Sequence, residues 1–274
     1  MYEIKKTETK NEYEGLRSLW CQTFGDSPDF VDKLYDILQA KGYIALDEEG
    51  SVLSSLTLYE CGNYHGKNVF VSYAICTEPE ARGQGIAGAL TKHVRDLVIA
   101  DGHLSILSPA EESLIKFYSG LDYEPYFFSE EILLNTSNFN GLKAIIQPLS
   151  PSEYSEYREI FLADTPHIQI SKNLLNFIDE DNSDASGFLL INQGDAVCTL
   201  SATSTEGFYI SELLVNPLLK NLSSEIDEEI ARSIAVAYGA DHVRYRKPGN
   251  RYCQSMLAGL ASDSDIAYFG FPMD

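Results

Sequence analysis

Phe70-Val71-Ser72-Tyr73-Ala74-Ile75-Cys76 runs through Thr77-Glu78-Pro79-Glu80-Ala81 into Arg82-Gly83-Gln84-Gly85-Ile86-Ala87-Gly88. The first seven residues are apolar and β-prone, so they predict a strand. Ile86, Leu90, Val94, Leu97 and Val98 recur at helical spacing and predict an amphipathic helix that opens inside the glycine run. Gly83 and Gly85 permit a tight turn and a close approach of backbone to a ligand. The first N–H groups of a helix have no partner within it, and the helix dipole favours negative charge there. Such a turn suits a phosphate or diphosphate, and Arg82 adds a cation.

Residues 83–88 also spell G-x-G-x-x-G. A dinucleotide site needs the strand to run directly into the first glycine, and an acid at the end of the following strand. Here Thr77–Arg82 intervenes, and Asp101 precedes the next predicted strand, His103–Leu107. A nicotinamide or flavin site is therefore disfavoured.

Outward from this stretch the chain repeats itself. Asp101-Gly102 ends the helix, a strand follows at His103–Leu107, and Ser108-Pro109-Ala110-Glu111 predicts a capping box opening a helix to Phe117-Tyr118-Ser119-Gly120-Leu121. The second half shows the same order. Phe208–Val215 reads as a strand, Ile226, Ile230, Ile234 and Ala237 as a helical stripe, and His242–Tyr245 as the next strand, before a segment ending Met256–Leu260. His103 and His242, Pro109 and Pro248, and Gly120 and Gly259 all lie 139 residues apart. Each half also begins alike, with capping boxes at Thr9-Lys10-Asn11-Glu12 and Ser150-Pro151-Ser152-Glu153, the second after a predicted strand at Ala144-Ile145-Ile146. Two copies of one module are expected, 1–141 and 142–274.

Composition narrows the function. The 274 residues hold 20 Lys+Arg against 41 Asp+Glu, a net charge of −21, shared as −11 and −10 between the two halves. Neither half suits nucleic acid, whereas small cationic amines would be attracted. No run is long and apolar enough for a membrane helix, and Met1–Lys6 has no signal core, so no membrane partner and a cytoplasmic location are expected. Five scattered cysteines with no C-x-x-C, and five histidines without ligand spacing, predict reduced thiols and no metal. A homo-oligomer stays open.

Arg82-x-x-Gly85-x-Ala87 matches the Q/R-x-x-G-x-G/A acyl-CoA signature, and Pro79-Glu80-x-Arg82, the helix, the strand and Phe117-Tyr118-x-Gly120-x-x-Tyr123 follow in order. In these features residues 1–135 resemble the GCN5-related N-acetyltransferases (GNAT). Leu107-Ser108-Pro109 before the Tyr118 segment is similar to the tandem, enhanced-intracellular-survival branch of aminoglycoside acetyltransferases, in which only the first module binds acetyl-CoA. That branch has a third, sterol-carrier-like domain for which 274 residues leave no room. The resemblance implies an α+β (mixed α/β) fold of two tandem GNAT-like modules, each a mixed, mostly antiparallel sheet flanked by helices. It implies acetyl-CoA as cofactor, with Arg82, Gly83, Gln84, Gly85, Ile86 and Ala87 at the diphosphate and the strand around Ile75, Cys76 and Thr77 along the pantetheine.

Acyl transfer to an amine needs a neutral nitrogen, a donor for the oxyanion and a proton for the thiolate. The resemblance assigns the last to Tyr118, and the amides of 74–76 could serve the oxyanion. The strand before the turn holds no glutamate base. In the tandem branch the C-terminal carboxylate enters the site, and Asp274, after the apolar tail Ala267–Met273, resembles that arrangement. Glu60 is a weaker candidate, Asp26 and Asp29 could attract a cation or cap a helix, Cys76 lacks a base, and Trp20 and Phe24 read as core or pocket wall. In the second copy Ser223-Ser224-Glu225-Ile226-Asp227-Glu228-Glu229 replaces the glycine turn, and Leu257 occupies the Tyr118 offset. An N-acetyltransferase with one active and one degenerate module is expected; a non-catalytic acyl-CoA-binding sensor is the alternative.

Overall fold

In the computed structural model, residues 2–181, 187–200, 208–260 and 266–270 are described. They divide into two compact units. The first comprises residues 2–125 and 255–260, the second 126–181, 187–200, 208–254 and 266–270. No single cut in the sequence, at 141 or elsewhere, separates them.

In the first unit the elements are β1 (Glu3–Lys6), α1 (Lys10–Phe24), α2 (Pro28–Leu38), β2 (Lys41–Leu46), β3 (Val52–Tyr64), β4 (Lys67–Thr77), α3 (Ile86–Ala100), β5 (Leu104–Leu107) and α4 (Ser113–Ser119). A single 3₁₀ turn, Pro79–Ala81, lies between β4 and α3. The sheet order is β1-β2-β3-β4-β5, and only β4–β5 is parallel. The outer edge of β5 is closed by residues 256–258, with Met256 opposite Leu107 and Ala258 opposite Ser105.

The α3 stripe buries Leu90, Val94 and Val98 on Tyr43, Leu56 and Leu58. Burial of each such side chain contributes about 1.5–3 kcal/mol. Leu97, expected in that stripe, is 41% exposed. The Thr9 capping box forms as predicted. The one at Ser108 does not: α4 starts at Ser113 with no side-chain cap, and the Ser108 hydroxyl meets that of Ser255 instead.

The remaining elements are β6 (Glu124–Asn135), β7 (Ile146–Leu149), α5 (Pro151–Phe161), β8 (Gln169–Ile170), α6 (Lys172–Asp181), β9 (Phe188–Ile191), β10 (Ala196–Leu200), β11 (Phe208–Val215), α7 (Pro217–Lys220), α8 (Ile226–Ala237), β12 (His242–Pro248) and β13 (Tyr252–Ala258). The sheet of the second unit runs β6-β12-β11-β10-β9-β7, parallel only at β11–β12. Ile230, Ala231, Ile234 and Ala235 of α8 pack on Ile210, Val215, Val243 and Tyr245. The Ser150 capping box forms.

The segment ending at Met256–Leu260 corrects the offset reading. Residues 252–258 are a strand, so Leu257 is not the counterpart of Tyr118. The modules trade their last strands. Copy one sends residues 126–135 of β6 to β12 in the second unit, and copy two sends 255–258 of β13 to β5 in the first. The result is the mixed, mostly antiparallel α+β architecture expected, built twice.

Candidate active site

β4 pairs with β5 only over Val69–Val71, opposite Leu104–Ile106. It continues to Thr77 while its other edge stays on β3. From Ser72 onward no strand among the described residues pairs with the β5-facing edge, so backbone N–H and C=O groups of 72–77 line an opening. Within this stretch Ala74 has φ +49°, and the register on β3 slips between Ser55↔Cys76 and Thr57↔Tyr73. A non-glycine residue in this region costs about 1–2 kcal/mol. Such strain is held where surrounding structure enforces it. This bulge re-aims the amides around 74–76.

Beyond β4 the chain passes the Pro79–Ala81 turn. Arg82 is anchored by its Nε donating to the Thr77 carbonyl at 3.1 Å, and Gln84 Nε2 donates to the Glu80 carbonyl at 3.2 Å. Gly83 and Gly85 have φ of +75° and +78°, and a Cβ on either would meet nothing within 4 Å. Gly85 is the N-cap of α3, no side chain caps the helix, and its first turn holds no acid. Arg82, Gly83, Gln84 and Gly85 are exposed, while Ile86 roots the helix in the core. Bare amides, a positive dipole end and a guanidinium thus face open space, which fits a diphosphate. A cavity of about 350 Å³ touches the back of this turn at Leu53, Glu78, Glu80, Ala81 and Gln84. Its carboxylates make it a poor diphosphate cradle.

Gly88, in the first turn of α3, faces α4: a Cβ there would meet the Phe117 ring at 3.6 Å, an ordinary contact. This packing sets the next residue, Tyr118. Its side chain is buried, with ring centroids 5.1 Å from Phe117 and 6.4 Å from Tyr123. Burial, then the neighbouring Tyr123, push its phenol up to about 12, so it stays protonated at neutral pH. Tyr123 shares a 2.8 Å hydrogen bond with Ser105.

On the opposite face of β3–β4 lies an aromatic group. Trp20 is edge-on to Tyr73 at 5.4 Å and to Phe30 at 6.5 Å, and Tyr59 is 6.0 Å from Tyr73. Asp26 accepts from Trp20 Nε1 at 2.7 Å. Helix α2 is capped by Ser27, leaving capping to neither Asp26 nor Asp29. Phe24 is 49% exposed. Asp32 accepts from Tyr13 and Arg17 at 2.7 and 2.6 Å. Glu60 is exposed on β3. Cys76 is buried with Sγ 3.1 Å from the Ser55 hydroxyl, and burial raises its thiol, which opposes a thiolate nucleophile. Asp274 lies outside the described residues.

The second unit repeats the parting of strands: β11 pairs with β12 only over Phe208–Ile210. Its helix mouth differs. Asp227, Glu228 and Glu229 fill the first turn of α8, and Asp227 takes hydrogen bonds from Tyr245 (2.9 Å) and Lys247. On β11 the fully buried Glu212 accepts from Tyr154 at 2.5 Å and Arg158 Nε at 3.2 Å. Arg158 also donates to the carbonyls of Ile168 and Phe269. Gly270 packs so closely on Glu212 that a Cβ would lie 2.0 Å from Oε1. The mouth is anionic and the strand is closed over. A Tyr-x₃-Arg pair on the first helix of each copy, Tyr13/Arg17 and Tyr154/Arg158, sits 141 residues apart and grips a carboxylate in both. That repeat is legible in the sequence; the carboxylates, Asp32 on a helix and Glu212 on a strand, do not follow from it.

The profile of the family described as Acetyltransferase (GNAT) domain matches residues 3–126. Solved structures share the fold over nearly the whole chain. A "Probable N-Acyltransferase" from Enterococcus faecalis has a TM-score of 0.68 at 16% identity, covering 94% of this chain and 72% of that one. A GCN5-related N-acetyltransferase from Anabaena variabilis gives 0.66 at 16%, covering 94% and 72%. Eis1 from Mycobacterium abscessus gives 0.56 at 12%, covering 94% and 73%. No curated protein matches the chain by sequence.

Proposed function

We propose, for a chain whose residues 3–126 match the GNAT acetyltransferase family model, that it transfers an acetyl group from acetyl-CoA to the amine of a small cationic acceptor. The single observation that supports this most is the conjunction, in the first unit alone, of parted strands and a bare helix mouth. Ile75, Cys76 and Thr77 offer backbone pairing to the pantetheine, and residues 82–87 receive the diphosphate. Acetyl-CoA supplies the activated thioester. The amides at the Ala74 bulge receive the charge developing on the carbonyl oxygen. Tyr118 donates the proton that the departing sulfur requires.

The acceptor must lose its charge before it attacks. For an amine of pKa ~10.4 this costs about 4 kcal/mol near neutral pH. The carboxylate of Asp26 beside Trp20, in a chain of net charge −21, favours a cation on the far side of the sheet. The second module, residues 142–274 in sequence, is a scaffold without a CoA site of its own. Five cysteines free of disulfides and a dependence on acetyl-CoA favour a cytoplasmic setting. No helix among the described residues is long and apolar enough to cross a membrane.

One feature favours a second reading, an acyl-CoA sensor: β4 has no carboxylate. Thiol release from acetyl-CoA across polyamines and aminoglycosides separates the two. The enzyme reading expects turnover on at least one amine and loss of turnover in Tyr118→Phe with CoA binding retained. CoA binding with no turnover on any amine supports the sensor.

A further inference from the structure

Tyr118 sits in α4, a helix of seven residues that no side chain caps at its start. A helix this short is marginal by itself, so its place depends on what grips it. Its last carbonyls lack partners within a regular helix. The Tyr118 carbonyl accepts from the N–H groups of Leu121 at 2.9 Å and Tyr123 at 3.2 Å, so the turn 119–123 folds back onto the backbone of Tyr118 itself. Asp122, inside that turn, stands at φ +57°. Asp visits this region more readily than most residues, but it stays there only where the surroundings enforce it.

Arg95 of α3 supplies that enforcement. Its side chain is buried. Its Nη1 donates to the Leu121 carbonyl and, at 2.9 Å, to Asp122 Oδ2, while its Nε donates to Asp96 Oδ1 at 2.9 Å. A cation beside the C-terminal end of α4 is also favoured by the helix dipole. From β5, Ser105 holds the Tyr123 hydroxyl at 2.8 Å. The N-terminal end of the same α3 is the bare mouth at Gly85. One helix therefore carries that mouth at its start and, further along, grips the turn that fixes Tyr118.

We propose that Arg95 is a positioning residue for acyl transfer: it sets Tyr118 against the coenzyme's sulfur by tying the turn after Tyr118 to the helix that receives the diphosphate. The proposal rests on the acetyltransferase reading given above. During transfer the amine nitrogen bonds the carbonyl carbon, and the C–S bond breaks with its electron pair on sulfur. Tyr118 gives its proton to that sulfur and is restored by the proton the nitrogen loses. Arg95 exchanges no proton and acts only through the place of the phenol. A proton donor held slightly out of place slows the chemical step and leaves coenzyme binding intact. The partners Asp96 and Asp122 are 55% and 80% exposed, so removing the guanidinium strands no buried carboxylate, and the fold should survive.

The test uses the full chain with Arg95→Ala, made alone and in the Tyr118→Phe background. Calorimetric titration with coenzyme A reads binding. Single-turnover thiol release from acetyl-CoA, with an amine that the wild-type chain accepts, reads the chemical step. The expected result is a rate about tenfold lower in Arg95→Ala, with CoA affinity and the KM for acetyl-CoA unchanged. On the residual rate of Tyr118→Phe, Arg95→Ala should have no further effect, because the group it positions is already gone. Should Arg95→Ala not melt cooperatively, Arg95→Lys, which keeps the charge and loses the fork, takes its place with the same expectations. An equal loss in both backgrounds, a loss confined to CoA affinity, or an unchanged rate would overturn the proposal. A wild-type chain that binds CoA but releases no thiol with any amine would remove the acetyltransferase reading itself, and the proposal with it.

Discussion

The hydroxyls of Ser108 and Ser255, 147 residues apart in sequence, lie 2.8 Å from each other in the first unit. Ser108 follows β5 and leads to α4, which bears Tyr118. Ser255 opens the part of β13 that closes the edge of β5. The strand contributed by the second half therefore reaches the segment that leads to Tyr118.

A fragment of residues 1–141 should not behave as a folded acetyltransferase. It loses the strand opposite Ser105–Leu107 and leaves that edge open to association with other chains. Soluble yield and cooperative melting of the fragment, compared with the full chain, check this. A soluble monomer that melts like the full chain would contradict the strand exchange.

Arg158→Ala should be severely destabilising. Arg158 is 1% exposed, and its removal leaves Glu212, 0% exposed, as a buried charge with Tyr154 as its remaining donor. Breaking one side of a buried pair costs about 3–5 kcal/mol. Urea unfolding of the full chain gives the value, and a change below about 1 kcal/mol would show the pair to be dispensable.

Gly85→Ala should weaken CoA binding while the chain remains folded. At φ +78° a Cβ costs about 1–2 kcal/mol, though the space around it is empty. Relief of that strain turns the α3 amides away from the ligand. Binding by titration and melting by calorimetry separate the two effects; unchanged affinity would remove the turn from the site.

Stability should fall on the alkaline side. Burial raises Tyr118 to about 12, and it also raises Tyr43 and Tyr123. An unfolded chain ionises its tyrosines near pH 10. The stabilisation is complete below that value and is lost as pH rises from about 10 through 12. Melting temperatures between pH 8 and 11 should be level at first and then decline; a rise above pH 10 would contradict these burials.

Local signals were legible where local physics decides. Thr9 with Glu12 and Ser150 with Glu153 read as capping boxes and form them. The glycines at 83 and 85 read as a turn and take positive φ. Strand partnership is another matter. Nothing within residues 252–258 tells which edge they join, and the constant 139-residue offset set Leu257 at the place of Tyr118. Ser108 shows the same limit: its sequence is that of a cap, but its hydroxyl is taken by a residue from the other half. The bulge at Ala74 is also a product of register, which no single strand encodes.

Calorimetric titration of the full chain with coenzyme A tests the account at its centre. One molecule bound per chain is the predicted result, since the mouth of α3 is bare and that of α8 is closed by Asp227, Tyr245 and Lys247. Two molecules per chain, or none, would contradict it.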